Sequence, residues 1–194
     1  MPRQLVYYVA CTLDGFIART DGSFDCFLFQ GEHFQDLFRD FPETFPAHIR
    51  PALGIPDQAR RFDTVLMGRS TYEVGLREGI TNPYAPLRQY VFSTTMNSSP
   101  DPAVHLHTAD PLDLIRRLKA EKGEDIWLCG GSKLASSLAP EIDELILKIN
   151  PIILGAGIPL FDSLPDVLPT HLLEHKVYPN GFVLARYRIV HESP

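Results

Sequence analysis

The run Asp125-Ile126-Trp127-Leu128-Cys129-Gly130-Gly131-Ser132-Lys133-Leu134 limits the architecture more than any other part of the chain. An apolar segment of strand length runs into a glycine pair, and Ser132, a residue suited to cap a helix, follows at once. That order spells strand, turn, helix. Two successive glycines let a ligand lie against bare backbone, and the first N–H groups of the next helix point outward unpaired, which suits an anion such as a phosphate. Many folds also need glycine for the geometry of such a turn, so for this stretch alone a structural role stands level with a binding one. A second stretch, Val65-Leu66-Met67-Gly68-Arg69-Ser70-Thr71-Tyr72-Glu73, repeats the layout and adds a cation. Two such turns would clasp the two ends of one extended ligand.

The rest of the chain fits an α/β domain with a mixed sheet. Leu5–Cys11 is β-branched and aromatic without polar alternation, which predicts a central strand covered on both faces. Asp14-Gly15 turns it into a loop over a site. Phe34, Leu37, Phe38 and Phe41 recur at helical spacing and predict a helix between Glu32 and Phe41 with a phenylalanine stripe. Residues 42–56 are proline-rich and aperiodic, an insertion or a lid, and 57–61 read as a short helix. Strands are expected at 64–67, 90–95, 104–107, 126–129 and 144–149, with helices at 71–76, after Asp110-Pro111, and after the glycine pair. Pro179-Asn180-Gly181 joins Leu172–Tyr178 to Phe182–Val190 as an antiparallel hairpin. At 194 residues one domain, 1–194, accounts for the chain.

Composition excludes several function classes. A formal charge of −6 leaves no basic stripe for nucleic acid. No stretch is long and apolar enough to span a bilayer, and the N-terminus lacks a leader pattern, so no membrane partner is expected. Cys11, Cys26 and Cys129 are odd in number and lack metal-type spacing, which fits a reducing cytoplasm and predicts no metal site. His105 and His107 share a strand face without a third ligand, and His171 and His175 fall in a strand, where a four-residue spacing does not pair them. Neither a Gly-x-Gly-x-x-Gly after the first strand nor a P-loop is present.

Residues at strand C-terminal ends support one another, because open α/β sheets bind ligands there. Arg69 offers a fork of donors for phosphate beside Ser70 and Thr71, and Ser93, Thr94 and Thr95 add hydroxyls at the end of the next strand. With Gly130, Gly131 and Ser132 on a second phosphate, the implied ligand is a dinucleotide carrying an extra phosphate, NADPH in preference to NADH.

Four segments then carry a resemblance: Leu13-Asp14-Gly15-Phe16-Ile17-Ala18, Met67–Glu73, Cys129–Leu134 and Pro151–Phe161. In this order they resemble the dihydrofolate reductase superfamily, in particular the branch similar to the reductase domain of bifunctional riboflavin-biosynthesis proteins. The resemblance implies a dihydrofolate reductase-like central sheet, mixed and mostly parallel, flanked by helices and closed by the C-terminal hairpin. It implies a homodimer and a cytoplasmic NADPH-dependent reductase of a small heterocycle, of pteridine or aminopyrimidine type. Ala10 and Ile17 would line the nicotinamide pocket. Gly68, Arg69, Ser70 and Thr71 with Ser93 and Thr94 would hold the adenosine phosphates, and Gly130, Gly131, Ser132, Lys133 and Leu134 the pyrophosphate. The acid would be Asp36, the nearest match to the pterin-binding carboxylate of the first helix, or Glu32, or water held near Asp14. Two departures accompany it: Cys129 stands where riboflavin-pathway reductases commonly carry an acid, and their Asp-Asp-Pro-x-Leu-x-x-Arg stretch does not follow Tyr72. The alternative is a sensor or structural dimer that binds NADP without turnover on the same fold.

Overall fold

Strand propensity and turn chemistry together decide the order of elements. In a computed structural model, which describes residues 2–191, the chain begins with β1 (Leu5–Thr12) and β2 (Phe16–Ala18), then α1 (His33–Asp40) and the short α2 (Arg50–Leu53). Next come β3 (Phe62–Gly68), α3 (Arg69–Arg77), β4 (Arg88–Phe92), β5 (Val104–His107), α4 (Pro111–Ala120), β6 (Asp125–Gly130) and α5 (Ser132–Leu138). It ends with β7 (Glu144–Asn150), β8 (Ile158–Pro159), β9 (Thr170–Val177) and β10 (Val183–Ile189).

The main sheet has the order β5-β4-β3-β6-β1-β7-β10-β9, and β2 pairs with β8 apart from it. From β5 to β7 all neighbours are parallel; the hairpin β9–β10 closes the sheet antiparallel to β7. The sheet is therefore mixed and mostly parallel, as the sequence predicts. β1 is central, and its alternating residues fill two cores. Leu5, Tyr7 and Val9 meet Leu66, Leu128 and the inner faces of α4 and α5. Val6 and Tyr8 meet Val65, Met67, Trp127 and Ile146 beneath α1 and Tyr72 of α3. The Tyr8 ring stacks on Phe41 at 4.7 Å and meets Trp127 edge-on at 6.2 Å. Such contacts contribute roughly 0.5–1.5 kcal/mol each beyond burial. Among the described residues no helix is long and apolar enough to cross a membrane.

Two sequence expectations need correction. Residues 57–61 are not helical, and the segment before them is built into the body of the protein. The reason is Glu43, buried at 1 % exposure. Its carboxylate accepts the backbone N–H groups of Arg60, Arg61 and Phe62 at 3.2, 2.8 and 2.7 Å. Those three amides have a side-chain acceptor, so the local chain stays extended and leads directly into β3. Buried Arg50 secures the other side by donating to the Phe45 carbonyl at 2.8 Å, and Ala47 N–H donates to Pro83 O at 2.7 Å.

Removing the Glu43 carboxylate strands three amides. Glu43→Ala should lower the unfolding free energy by about 3 kcal/mol, seen as a lower urea midpoint at unchanged slope. A loss below about 0.5 kcal/mol, the ordinary range of a surface change, would show that the carboxylate does not organise this segment.

Candidate active site

All six parallel strands end at one edge of the sheet, so Thr12, Gly68, Ser93, His107, Gly130 and Asn150 lie along it. The chain leaves β1 to build β3, β4 and β5 on one side, then returns as β6 and β7 on either side of β1. A crevice opens at such a reversal of strand order.

The two glycine turns meet in it. β3 pairs with β6 so that Met67 stands opposite Gly130. A Cβ built on Gly68 would lie 3.4 Å from Gly131 N and 3.7 Å from Gly130 O, and one on either Gly130 or Gly131 would lie 3.7 Å from Thr71 Oγ1. Gly130 has φ +142°, which side chains disfavour, and the Gly130–Gly131 peptide is cis. The positive φ requires glycine at 130, and at 68 the two turns are in van der Waals contact. The helices that start here are both uncapped: α3 has Gly68 at its N-cap, α5 has Gly131, and neither has a side-chain cap hydrogen bond. By contrast α4 is capped by the Asp110 carboxylate on Leu112 N. Two sets of open amides therefore face one crevice, an arrangement suited to phosphate.

Around these turns the structure gathers most of the sequence-predicted cofactor residues. Arg69 and Ser70 are exposed at the start of α3, and Thr71 is half-buried behind them. Arg69 donates to Thr95 Oγ1 at 3.0 Å and lies 3.7 Å from Glu73, its only ion-pair partner among the described residues. Ser93, Thr94, Lys133 and Leu134 line one groove of about 210 Å³, joined by His107 and Thr108. Ser93 Oγ accepts the Thr95 and Met96 amides at 3.1 and 3.0 Å, so its first role is to shape the turn after β4. Ser132 is buried.

Ala10 and Ile17 lie on successive strands. Ala10 is the one residue of β1 that is not fully buried, and it faces the α1 side with Tyr8. Ile17, on β2, is half-buried against the core beneath α5. Asp14 serves as a clamp: its carboxylate accepts Thr12 Oγ1 at 2.6 Å, Leu154 N at 3.2 Å and Gly155 N at 2.7 Å. These donors hold the carboxyl below the usual carboxylate range, the Thr12 hydroxyl first. They also fix the 13–18 loop over the glycine-punctuated passage after β7.

Of the carboxylates named for the acid, Asp14 forms the loop clamp, and Glu32 and Asp36 lie at the start of α1 and within it. Glu32 is exposed ahead of α1 and caps nothing. Asp36 is in contact with Lys176, accepts Tyr178 Oη at 2.6 Å, and lies 2.7 Å from Arg39. The Lys176 and Tyr178 donors bring its pKa down to about 2. It belongs to a charged groove of about 380 Å³ with Arg61, Glu174 and Arg186, which runs back toward Glu144 at the start of β7. What the sequence reading missed lies at the ends of the central strands. Ala10 is the one half-buried residue of β1, and Cys129 and Lys148 are half-buried toward the ends of β6 and β7. Lys148 pairs in register with Ala10, and Cys129 lies 3.9 Å from Tyr84 Oη. The signal available was a single lysine near the end of the apolar strand Leu145–Ile149.

The Asp36 cluster has a pH signature. An unfolded aspartate titrates near ~4 and the folded one at about 2, so its stabilisation is complete above ~4 and is lost as pH falls toward 2. Asp36→Asn should flatten that part of the acid limb in a series of thermal midpoints. An unchanged limb would show that Asp36 is not the group titrating there.

Comparison with known proteins agrees with this frame. The family model for the RibD C-terminal domain matches residues 3–184. The uncharacterised protein YwjB of Bacillus subtilis (strain 168) is 37% identical over 169 residues, covering 86% of this chain and 87% of its own length. Two solved structures share the fold. One is the Thermotoga maritima diaminohydroxyphosphoribosylaminopyrimidine deaminase/5-amino-6-(5-phosphoribosylamino)uracil reductase, with TM-score 0.63 and 17% identity over 97% of this chain and 57% of that one. The other is Enterococcus faecalis dihydrofolate reductase complexed with NADP(H), with TM-score 0.60 and 14% identity over 96% of each chain. The chain therefore belongs to the RibD C-terminal domain family and has a dihydrofolate reductase-like fold.

Proposed function

We propose that this protein is an NADPH-dependent reductase of a small heterocycle. The observation that carries the reading is the contact between two glycine-ended turns whose helices begin without caps. Family membership supports it, and so does the groove shared by Ser93, Thr94, Lys133 and Leu134. The fit rests on the backbone: a side chain at 68 would stand against the Gly131 amide, and the amides of Gly131, Ser132, Lys133 and Leu134 would receive the phosphate oxygens.

When bound, the cofactor supplies a hydride from its nicotinamide ring. The chain's own residues set its position. Arg69, released from its long contact with Glu73, turns its guanidinium to the extra phosphate beside Thr95, with Ser70 and Thr71 at the helix start. Gly68 would leave room for the adenosine side over the ends of β3 and β6, and Ser93, Thr94 and Lys133 would line the adjoining groove. The 13–18 loop, held down by the Asp14 clamp, covers the nicotinamide end near Ala10 and Ile17 and keeps water from it. The substrate enters on the α1 side, where the floor is Ala10, Cys129 and Lys148.

Titration by protein fluorescence tests the cofactor assignment. NADPH should bind, and Arg69→Ala should weaken it by roughly ten- to hundredfold, the worth of a charge-assisted hydrogen bond. NADH should lose less than about threefold, because it lacks the phosphate that Arg69 meets. Equal losses would remove Arg69 from the phosphate, and absence of NADPH binding would overturn the reductase reading.

A further inference from the structure

Lys148 is an odd residue to find on an internal strand of the sheet. It sits on β7 between Ala10 of β1 and Leu184 of β10. Its Nζ lies 4.1 Å from the centre of the Tyr8 ring. Among the described residues no carboxylate lies within 4 Å of it, whereas Arg3, Arg50 and Arg61, the other cations drawn into the body, all have acids beside them. An ammonium taken from water and left without a counter-ion is costly. The ring face returns only part of that cost, about 2 kcal/mol when desolvated.

Tyr8 Oη and His33 Nε2 are the buried side-chain polar atoms without a hydrogen-bond partner among the described residues. The Tyr8 ring lies directly under the ammonium. Lys148 is nonetheless half-buried rather than sealed, as are Ala10 and Cys129 beside it, so the group that completes the site comes from solvent. Phe34, Phe45 and Tyr84 are half-buried on the same face and supply flat apolar surface. The carboxylate that would hold a cationic ring, Asp36, is spent on Lys176, Tyr178 and Arg39.

We propose that Lys148 is the specificity-determining residue of the substrate site, and that it takes a planar heterocycle bearing a carboxylate or a comparable anionic acceptor, docked on Nζ above the Tyr8 ring. The location of this site rests on the reductase reading, but binding at Lys148 can be measured without cofactor. The inference reverses the polarity that the superfamily resemblance implies: the pocket's free charge is positive, and it rejects a protonated diaminopyrimidine.

The groups facing Lys148 make the pH response legible. Burial pushes the thiols of Cys11 and Cys129 up to about 11 and raises the phenols of Tyr8 and Tyr84, while it lowers His33 below its ordinary value. Burial also brings Lys148 down to about 8. Between neutral pH and 9 the lysine alone among them changes charge, and it loses its proton as pH rises.

Three pyrimidines of graded charge serve as probes in calorimetric titrations, with and without NADP: orotate, an anionic ring carboxylate; uracil, neutral; and 2,4-diaminopyrimidine, a base that is cationic when protonated. Orotate should bind roughly tenfold or more tightly than the other two, and Lys148→Met should remove that margin. Lys148→Arg should keep it within about threefold, since charge and donors remain. Wild-type affinity for orotate should be level below the lysine pKa and fall about tenfold per pH unit above it; this arm stands even if Lys148→Met does not fold. Orotate binding that is undetectable at millimolar concentration, insensitive to Lys148→Met, level to pH 9.5, or weaker than diaminopyrimidine overturns the proposal. Failure of NADPH to bind, with the orotate results as expected, would overturn the reductase reading and leave Lys148 as an anion site.

Discussion

Parallel pairing of β3 with β6, in the register that sets Met67 beside Gly130, brings two glycine-ended strands out at the same edge of the sheet with their backbones in contact. The rest of the site is arranged around that pair. Because neither turn carries a Cβ toward the other, α3 and α5 start side by side and present open amides to one crevice. β1 and β7 follow β6 in the sheet, so their C-terminal residues, Ala10 and Lys148, form the next stretch of wall. Position along the sheet thus separates a region suited to phosphates, from β4 to β6, from a region suited to the reacting ring, from β6 to β7.

Charge is distributed in the same order. Buried or half-buried ions elsewhere are matched: Arg3 with Asp63, Arg61 and Arg186 with Glu144, Lys176 with Asp36, and Glu43 with three backbone amides. These pairs hold edges and insertions in place and leave little free charge on the α1 side. Lys148 is the exception, and it lies near the C-terminal end of β7, at the edge where we propose the ligand binds. The same logic holds for the first-helix carboxylate, whose ionised form is stabilised by the Lys176 and Tyr178 donors and by nearby Arg39.

Much of this was legible in the sequence. The both-faced burial of β1, the Asp110 cap with Pro111 behind it, the two glycine turns and the Asn180-Gly181 hairpin all follow from local chemistry that the fold does not override. Convergence of the two turns could be read because both were strand ends in an α/β pattern. The missing parts are those fixed by long-range contacts. Residues 57–61 carry no local mark of their dependence on Glu43, which lies in a proline-rich stretch that looks like loop. Asp36 occupies the expected place on the first helix, yet its partners Lys176 and Tyr178 come from the far end of the chain. Glu144 and Lys148 share one strand face, a spacing that also describes a solvated face; only the sheet order shows that the strand is internal.

The central claim, that the paired turns hold the phosphates of a nicotinamide dinucleotide, is tested most directly by a crystal structure of the NADPH complex. The expected map places the pyrophosphate within hydrogen-bond reach of the amides of residues 131–134, the extra phosphate on Arg69, and the nicotinamide beside Ala10 with its free face toward Lys148. A nucleotide lodged in the charged groove near Asp36, or a crevice between Gly68 and Gly131 closed against it, would contradict the account.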